Sequence, residues 1–223
     1  MQTAIEMKTF STRDKWLAAR GYTIGGSDAG SVLSLNKWRD NVSLWRILTG
    51  LDEPEDISDR PFVKYGTDAE EPLRELFKLH HPEMKVMYKP NNMFLNTAYP
   101  WAHTSLDGWL KDEKGRMGVL EIKTTEITSK IKAQEWADNH IPDTYYAQVC
   151  HSMMVCEYEF AIVFAELKVH RADGSVEYRL VERRIERNEA IEDIKHLERE
   201  ERRFWGYVIH KQEPPRILPE LSR

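Results

Sequence analysis

A chain of 223 residues, 41% apolar and 31% charged, has the size and composition of one soluble globular domain and can hide roughly 70% of its unfolded surface without disulfide staples. Its formal net charge of −5 excludes a protein that coats nucleic acid by overall charge, so any DNA contact has to come from a local basic channel. No leader-like segment and no apolar run near the ~18 residues of a membrane span are present, which leads us to expect a reduced, cytoplasmic setting without membrane contact.

The first ten residues read as a weakly ordered lead-in. From Ser11 the pattern turns helical, anchored by Trp16 and Leu17, and stops near Gly21. Thr23 to Asp28 form a glycine turn with a capping residue, ahead of Ala29, Val32 and Leu33 at helical spacing. A short helix is expected over Val42 to Leu48, and an acidic solvated loop over Asp52 to Asp59. The clearest helix of the first half is Phe62 to His80, with Leu73, Leu76, Phe77 and His80 recurring at three and four and Pro82 just beyond.

The periodicity then changes. Val86–Lys89, Met93–Asn96, Trp101–Leu110 and Gly118–Lys123 read as consecutive strands, the last two joined by a turn over Asp112 to Gly115. A helix near Ser129 to Asn139 follows, then one opened by Pro142 and reaching Cys156. Cys150 and Cys156, six apart, point to different faces of that helix and do not suit a bridge. A hairpin is expected from Phe160–Val169 and Ser175–Val181 across Ala172–Gly174. A charged helix from Arg187 to about Lys211 closes the chain, with Ile191, Ile194, Leu197, Phe204 and Val208 as its buried stripe and Glu198–Arg202 as a surface pair. One α/β (α+β) domain over residues 1–223 is the expected architecture.

Asp107 and the run Leu120-Glu121-Ile122-Lys123 carry the chemistry. Residues two apart on a strand share a face, so Glu121 and Lys123 project together while Leu120 and Ile122 face away. The turn at Gly115 folds Asp107 back beside them. Two carboxylates and an ammonium at one end of a hairpin suit phosphodiester hydrolysis: carboxylates hold Mg²⁺, and the ion polarises phosphate and acidifies water. Lys123 can orient that water, or take its proton if its own pKa is depressed. The plainer reading makes Glu121 and Lys123 the solvent face of an edge strand.

Further residues lie in order around this pair: Arg20, Ile24-Gly25-Gly26-Ser27-Asp28, Trp38, Gly66 with Glu70, Ser105-Leu106-Asp107-Gly108, Glu121-Ile122-Lys123-Thr124, and Tyr145-x-x-Gln148-Val149-x-His151-x-Met153. From about Trp16 to Leu167 this series resembles the YqaJ-like viral recombinase family, which includes the lambda-type phage exonuclease. The resemblance implies a restriction-endonuclease-like fold, a central mixed sheet flanked by helices, with 168–211 as an added hairpin and long C-terminal helix. It also implies processive 5′-to-3′ digestion of double-stranded DNA, which leaves a 3′ tail for a single-strand annealing protein, by a homotrimer that encircles the DNA.

Carried over by position, Asp107, Glu121, the Ile122 carbonyl and Glu70 hold two Mg²⁺ ions, for which Mn²⁺ can substitute, and Lys123 serves the water. Arg20, Ser27, Ser105 and Gln148 match a 5′-phosphate pocket, and one cation, two hydroxyls and an amide suit that ligand. The family pattern has a single glutamate before proline, whereas Glu70 and Glu71 both precede Pro72 here. Gly66 spacing favours Glu70, and Glu71 stays open.

Plainer readings stand beside these. Arg20 can end its helix favourably, Ser27 can be an N-cap, and Gln148 can bond nearby backbone. His151 and Met153 read as packing residues. His80, His81, His103 and His140 lack zinc spacing and default to surface or core. Trp38, Trp45, Trp101 and Trp109 read as core. Two other functions compete: an endonuclease or resolvase on the same core, and a noncatalytic DNA-end-binding module.

Overall fold

The computed structural model describes residues 4–21, 23–171 and 173–217. Its centre is the strand β8 (Phe160–His170), whose run Phe-Ala-Ile-Val-Phe-Ala is buried on both faces. Such a continuous apolar run marks a strand covered on two sides. β8 lies parallel to β7 (Met117–Ile127) and antiparallel to β9 (Val176–Glu186). With β6 (Gly108–Lys111) and β3 (Lys85–Met87) they form a five-stranded mixed sheet in the order β3-β6-β7-β8-β9.

Alternation along the strands assigns the two faces. Leu120 and Ile122 of β7 and Phe160, Ile162 and Phe164 of β8 pack on Leu73 and Phe77 of α4 (Pro61–His80). The opposite set, Val119, Ala161, Val163 and Ala165, packs on α6 (Asp143–Cys156) and α7 (Ile191–Ile209) through Val149, Met153, Ile194 and Leu197. On the face that carries Leu120 and Ile122, Gly118 is required, because a Cβ there would lie 2.3 Å from the Phe160 ring.

A second, four-stranded sheet runs β1-β4-β5-β2: Ile5–Thr9, Asn92–Asn96, Ala102–Thr104 and Ile24–Gly25. It corrects two expectations. The lead-in is a strand, because main-chain pairing to β4 orders its exposed side chains. The single strand expected over Trp101–Leu110 is two strands in different sheets, β5 and β6, broken at Ser105–Asp107. There Asn92 accepts a hydrogen bond from the Leu106 amide and donates one to the Leu106 carbonyl, both at 2.8 Å. That substitutes side-chain bonds for the ladder.

α1 (Arg13–Arg20), α2 (Ala29–Val32) and α3 (Asn41–Leu48) precede α4. α5 (Lys130–Gln134) is much shorter than the helix expected to Asn139; turns follow it, and the left-handed backbone at Asp138 and Asn139 is incompatible with a helix reaching that far. β9 runs past Val181 to Glu186; the hairpin is the one expected, although Ala172 of its turn lies outside the described residues. Both cysteines are free and buried. Trp45 and Trp101 are core residues and Trp109 is half-buried against Phe94, but Trp38 is 96% exposed. Leu17 is likewise exposed, so Trp16 alone anchors α1. No helix among the described residues is long and apolar enough to cross a membrane. Mixed sheets flanked by helices, with a long C-terminal helix, match the expected fold class.

Candidate active site

The break between β5 and β6 is where the candidate residues meet. In the β6–β7 hairpin Gly108 faces Leu120, which sets Asp107 beside the Glu121–Ile122 segment. The Ile122 amide donates to Asp107 Oδ2 at 2.8 Å, so Ile122 is held by its main chain next to the carboxylate. Glu121, 2% exposed, projects toward α6. Lys123 Nζ donates to Glu121 Oε1 at 2.6 Å and to Gln148 Oε1 at 3.1 Å, while Gln148 Nε2 donates to Glu121 Oε1 at 2.6 Å. Gln148 therefore bonds the candidate catalytic side chains rather than nearby backbone. The Lys123 ammonium also lies 5.0 Å from the Tyr145 ring centroid.

Glu70 approaches from α4. It is half-buried, and its charge acts on Asp107 and Lys123, whereas Glu71 is exposed. Residues one apart on a helix differ in direction by about 100°, and the packing of Leu73 and Phe77 turns Glu70 inward.

Burial raises the Glu70 carboxyl to about 7, and Asp107 adds to the rise. Glu121 also reaches about 7, through burial, which prevails over the attraction of Lys123 with lesser help from repulsion by Asp107 and Glu70. Asp107 is pushed up by burial, against the pull of Lys123 and the Ile122 amide. Burial presses Lys123 down, but attraction to Glu121 and Asp107 outweighs it, and the ammonium is held well above its usual range. The charges of Lys123, Arg74 and Arg20 thus leave an imbalance, because burial still holds all three carboxyls above their usual range.

That imbalance, together with Glu121 Oε2 being buried without a hydrogen-bond partner, fits a divalent cation held by Asp107, Glu121, the Ile122 carbonyl and Glu70. No three Asp, Glu, His or Cys side chains among the described residues form a ready-made metal cluster. Glu121 is drawn toward Lys123 and Gln148, and Asp107 toward the Ile122 amide, so a cation would compete with those bonds.

On the second-sheet side, Arg20 stacks over the Trp16 ring with its carbon 4.4 Å from the centroid. Trp16 Nε1 donates to Ser105 Oγ at 3.0 Å and to the Asn92 carbonyl at 2.9 Å, so one indole links Arg20 to Ser105. Burial lowers the Arg20 guanidinium's pKa, against attraction from Asp28, Asp107 and Glu121. Ser27 is exposed in the 3-10 turn Gly26–Asp28 and is not a helix cap; Asp28 takes the Gly25 amide instead and pairs with Arg39. A Cβ at Gly26 would touch Gln148 Cγ at 3.4 Å, so the Ser27 turn rests on α6 beside Gln148. Arg20, Ser27, Ser105 and Gln148 thus lie around one side of the carboxylates.

Two residues escaped the sequence reading. Arg74, buried, donates to the Asp107 carbonyl at 2.7 Å and stacks 3.6 Å over the Tyr88 ring. Its place four residues after Glu70, on the same helix face, is a signal that could have found it. Asn92 had none, because its partners lie fourteen residues away in a loop. His151 is a packing residue as expected, bonded to Glu201 at 2.7 Å and to the His103 carbonyl at 2.8 Å, and Met153 is fully buried. His103 is buried against Thr23, His81 pairs with Glu182, and His140 is exposed.

This fold is also seen in solved exonuclease structures. An alkaline exonuclease (LHK-Exo) from Laribacter hongkongensis shares 17% identity at a TM-score of 0.56, over 89% of this chain and 93% of that one. The same enzyme in complex with dAMP gives 16% identity and a TM-score of 0.59 over the same shares. Residues 15–159 match the YqaJ-like viral recombinase domain, and the chain belongs to that family. It is also 29% identical over 206 residues to the uncharacterized protein YqaJ of Bacillus subtilis (strain 168). That match takes in 92% of this chain but only 59% of the relative's length.

Proposed function

We propose that this chain is a Mg²⁺-dependent 5′-to-3′ exonuclease on double-stranded DNA, which removes nucleotides from 5′-phosphorylated ends and leaves 3′ tails for a single-strand annealing protein. The observation that carries the reading is the convergence of Asp107, Glu121 and Lys123 at the hairpin break, with Glu70 facing them from α4. The exonuclease fold of the structural relatives supports it. A homotrimer around the DNA is the assembly the family resemblance implies, and a cytoplasmic setting is the one the sequence reading favours.

When bound, Mg²⁺ (or Mn²⁺ in its place) supplies Lewis-acid polarisation of phosphate and a more acidic water. The chain's own residues do the rest. Lys123, kept as an ammonium, positions water by donating hydrogen bonds and does not act as the base. Gln148 fixes Lys123 and Glu121 relative to each other. Arg20, Ser27 and Ser105 would hold the terminal phosphate, and Trp16 fixes two of them.

Matched digestions test the reading. Linear 5′-phosphorylated duplex should be degraded with Mg²⁺ and spared without it, and closed circular duplex should survive. Cutting of closed circles would favour the endonuclease or resolvase alternative. Arg20→Ala should reduce the preference for phosphorylated over hydroxyl ends by about tenfold, the worth of a charge-assisted contact. An unchanged ratio would remove Arg20 from the pocket.

A further inference from the structure

We propose that the cleft beside Glu70 holds a nucleobase of the strand being cut, stacked on Tyr88; this rests on the exonuclease reading above. The cleft, about 900 Å³, lies between α4 and residues 86–90, and its lining includes Arg13, Glu70, Arg74, Tyr88, Lys89 and Trp109. Tyr88 is joined to the catalytic centre through one side chain. Arg74 stacks on its ring at 3.6 Å and donates to the Asp107 carbonyl at 2.7 Å. Arg74 is buried, so the ring is clamped from that side, yet Tyr88 stays 39% exposed in the cleft.

A rigid ring backed by a cation and partly open to solvent suits a base, because every base offers a π-face. On the α4 wall Glu70, Glu71 and Glu75 outnumber Arg74 and Lys78, with Lys78 paired to Glu75, so the side of Arg13 and Lys89 suits the backbone and the ring the base. Tyr88 would then grip whichever base lies beside the scissile phosphate, with little regard to its identity.

Photocrosslinking tests this on the intact ring. Duplexes with 5-iodouracil at the first, second or third nucleotide of the 5′-phosphorylated strand are bound to the Lys123→Ala chain, which leaves them uncut, and irradiated. A crosslink to Tyr88 from one of these positions is expected; crosslinks only to other residues would overturn the subsite. On the active chain, an abasic site at the crosslinking position should lower kcat/KM about tenfold. Tyr88→Ala should erase that difference and Tyr88→Phe should keep it. Should Tyr88→Ala retain the full difference, the base subsite is wrong while the exonuclease stands. A wild-type chain that cuts no linear duplex would overturn both.

Discussion

Lys123→Ala is expected to slow digestion of 5′-phosphorylated duplex by about 10³-fold while end binding, measured by fluorescence anisotropy, changes little. The ammonium is the donor shared by Glu121 and Gln148, and its charge is drawn in by both Glu121 and Asp107. Its loss leaves two buried carboxyls facing each other. Breaking a buried pair costs about 3–5 kcal/mol when the remaining charge is trapped. Glu121 can escape part of this by taking a proton, since it already titrates near neutrality. The variant should therefore be less stable at pH 8 than at pH 6 by comparison with the wild type, and circular dichroism melts at both would show it. Wild-type cutting rates in a folded variant would remove Lys123 from the chemistry.

Glu70→Gln should make the metal-free protein more stable and the enzyme worse. A carboxyl raised from 4.5 to about 7 in the fold binds its proton more tightly when folded than when unfolded. Its charge thus costs nothing below about pH 4.5, costs increasingly as pH rises toward 7, and costs its full amount above that. Allowing for the partial exposure of Glu70, that amount is on the order of 1–2 kcal/mol, or roughly 2–8 °C of Tm for a chain of this size. The amide carries no such cost. A melting gain at pH 8 that shrinks at pH 5, with digestion down about 10²-fold, is the expected pattern. An equal or lower Tm at pH 8 would show that the Glu70 charge is stabilising in the fold.

The same groups show what was legible from residue order. The hairpin that sets Asp107 beside Glu121 follows from strand alternation around a turn, and helix α4 from apolar spacing with Pro82 just beyond its end. These are local signals, and the structure keeps them. The Trp101–Leu110 segment reads as one strand from its residue types, whereas its break at Ser105–Asp107 is held by the distant Asn92. Trp38 reads as core on its hydrophobicity, but tertiary packing leaves its side chain 96% exposed.

Sequence by itself determined the candidate catalytic residue types and their shared strand face, which depend on neighbours a few residues apart, and the order of motifs that marks the family. Tertiary structure decided the rest. It chose Glu70 over Glu71 as the carboxyl that faces Asp107, turned Gln148 onto Glu121 and Lys123, and brought Arg74 and Tyr88 to the edge of the site. It also moved the carboxyl pKa values toward neutrality. These outcomes depend on burial and on charges from sequence-distant elements, and such interactions exist only once the chain has closed around them.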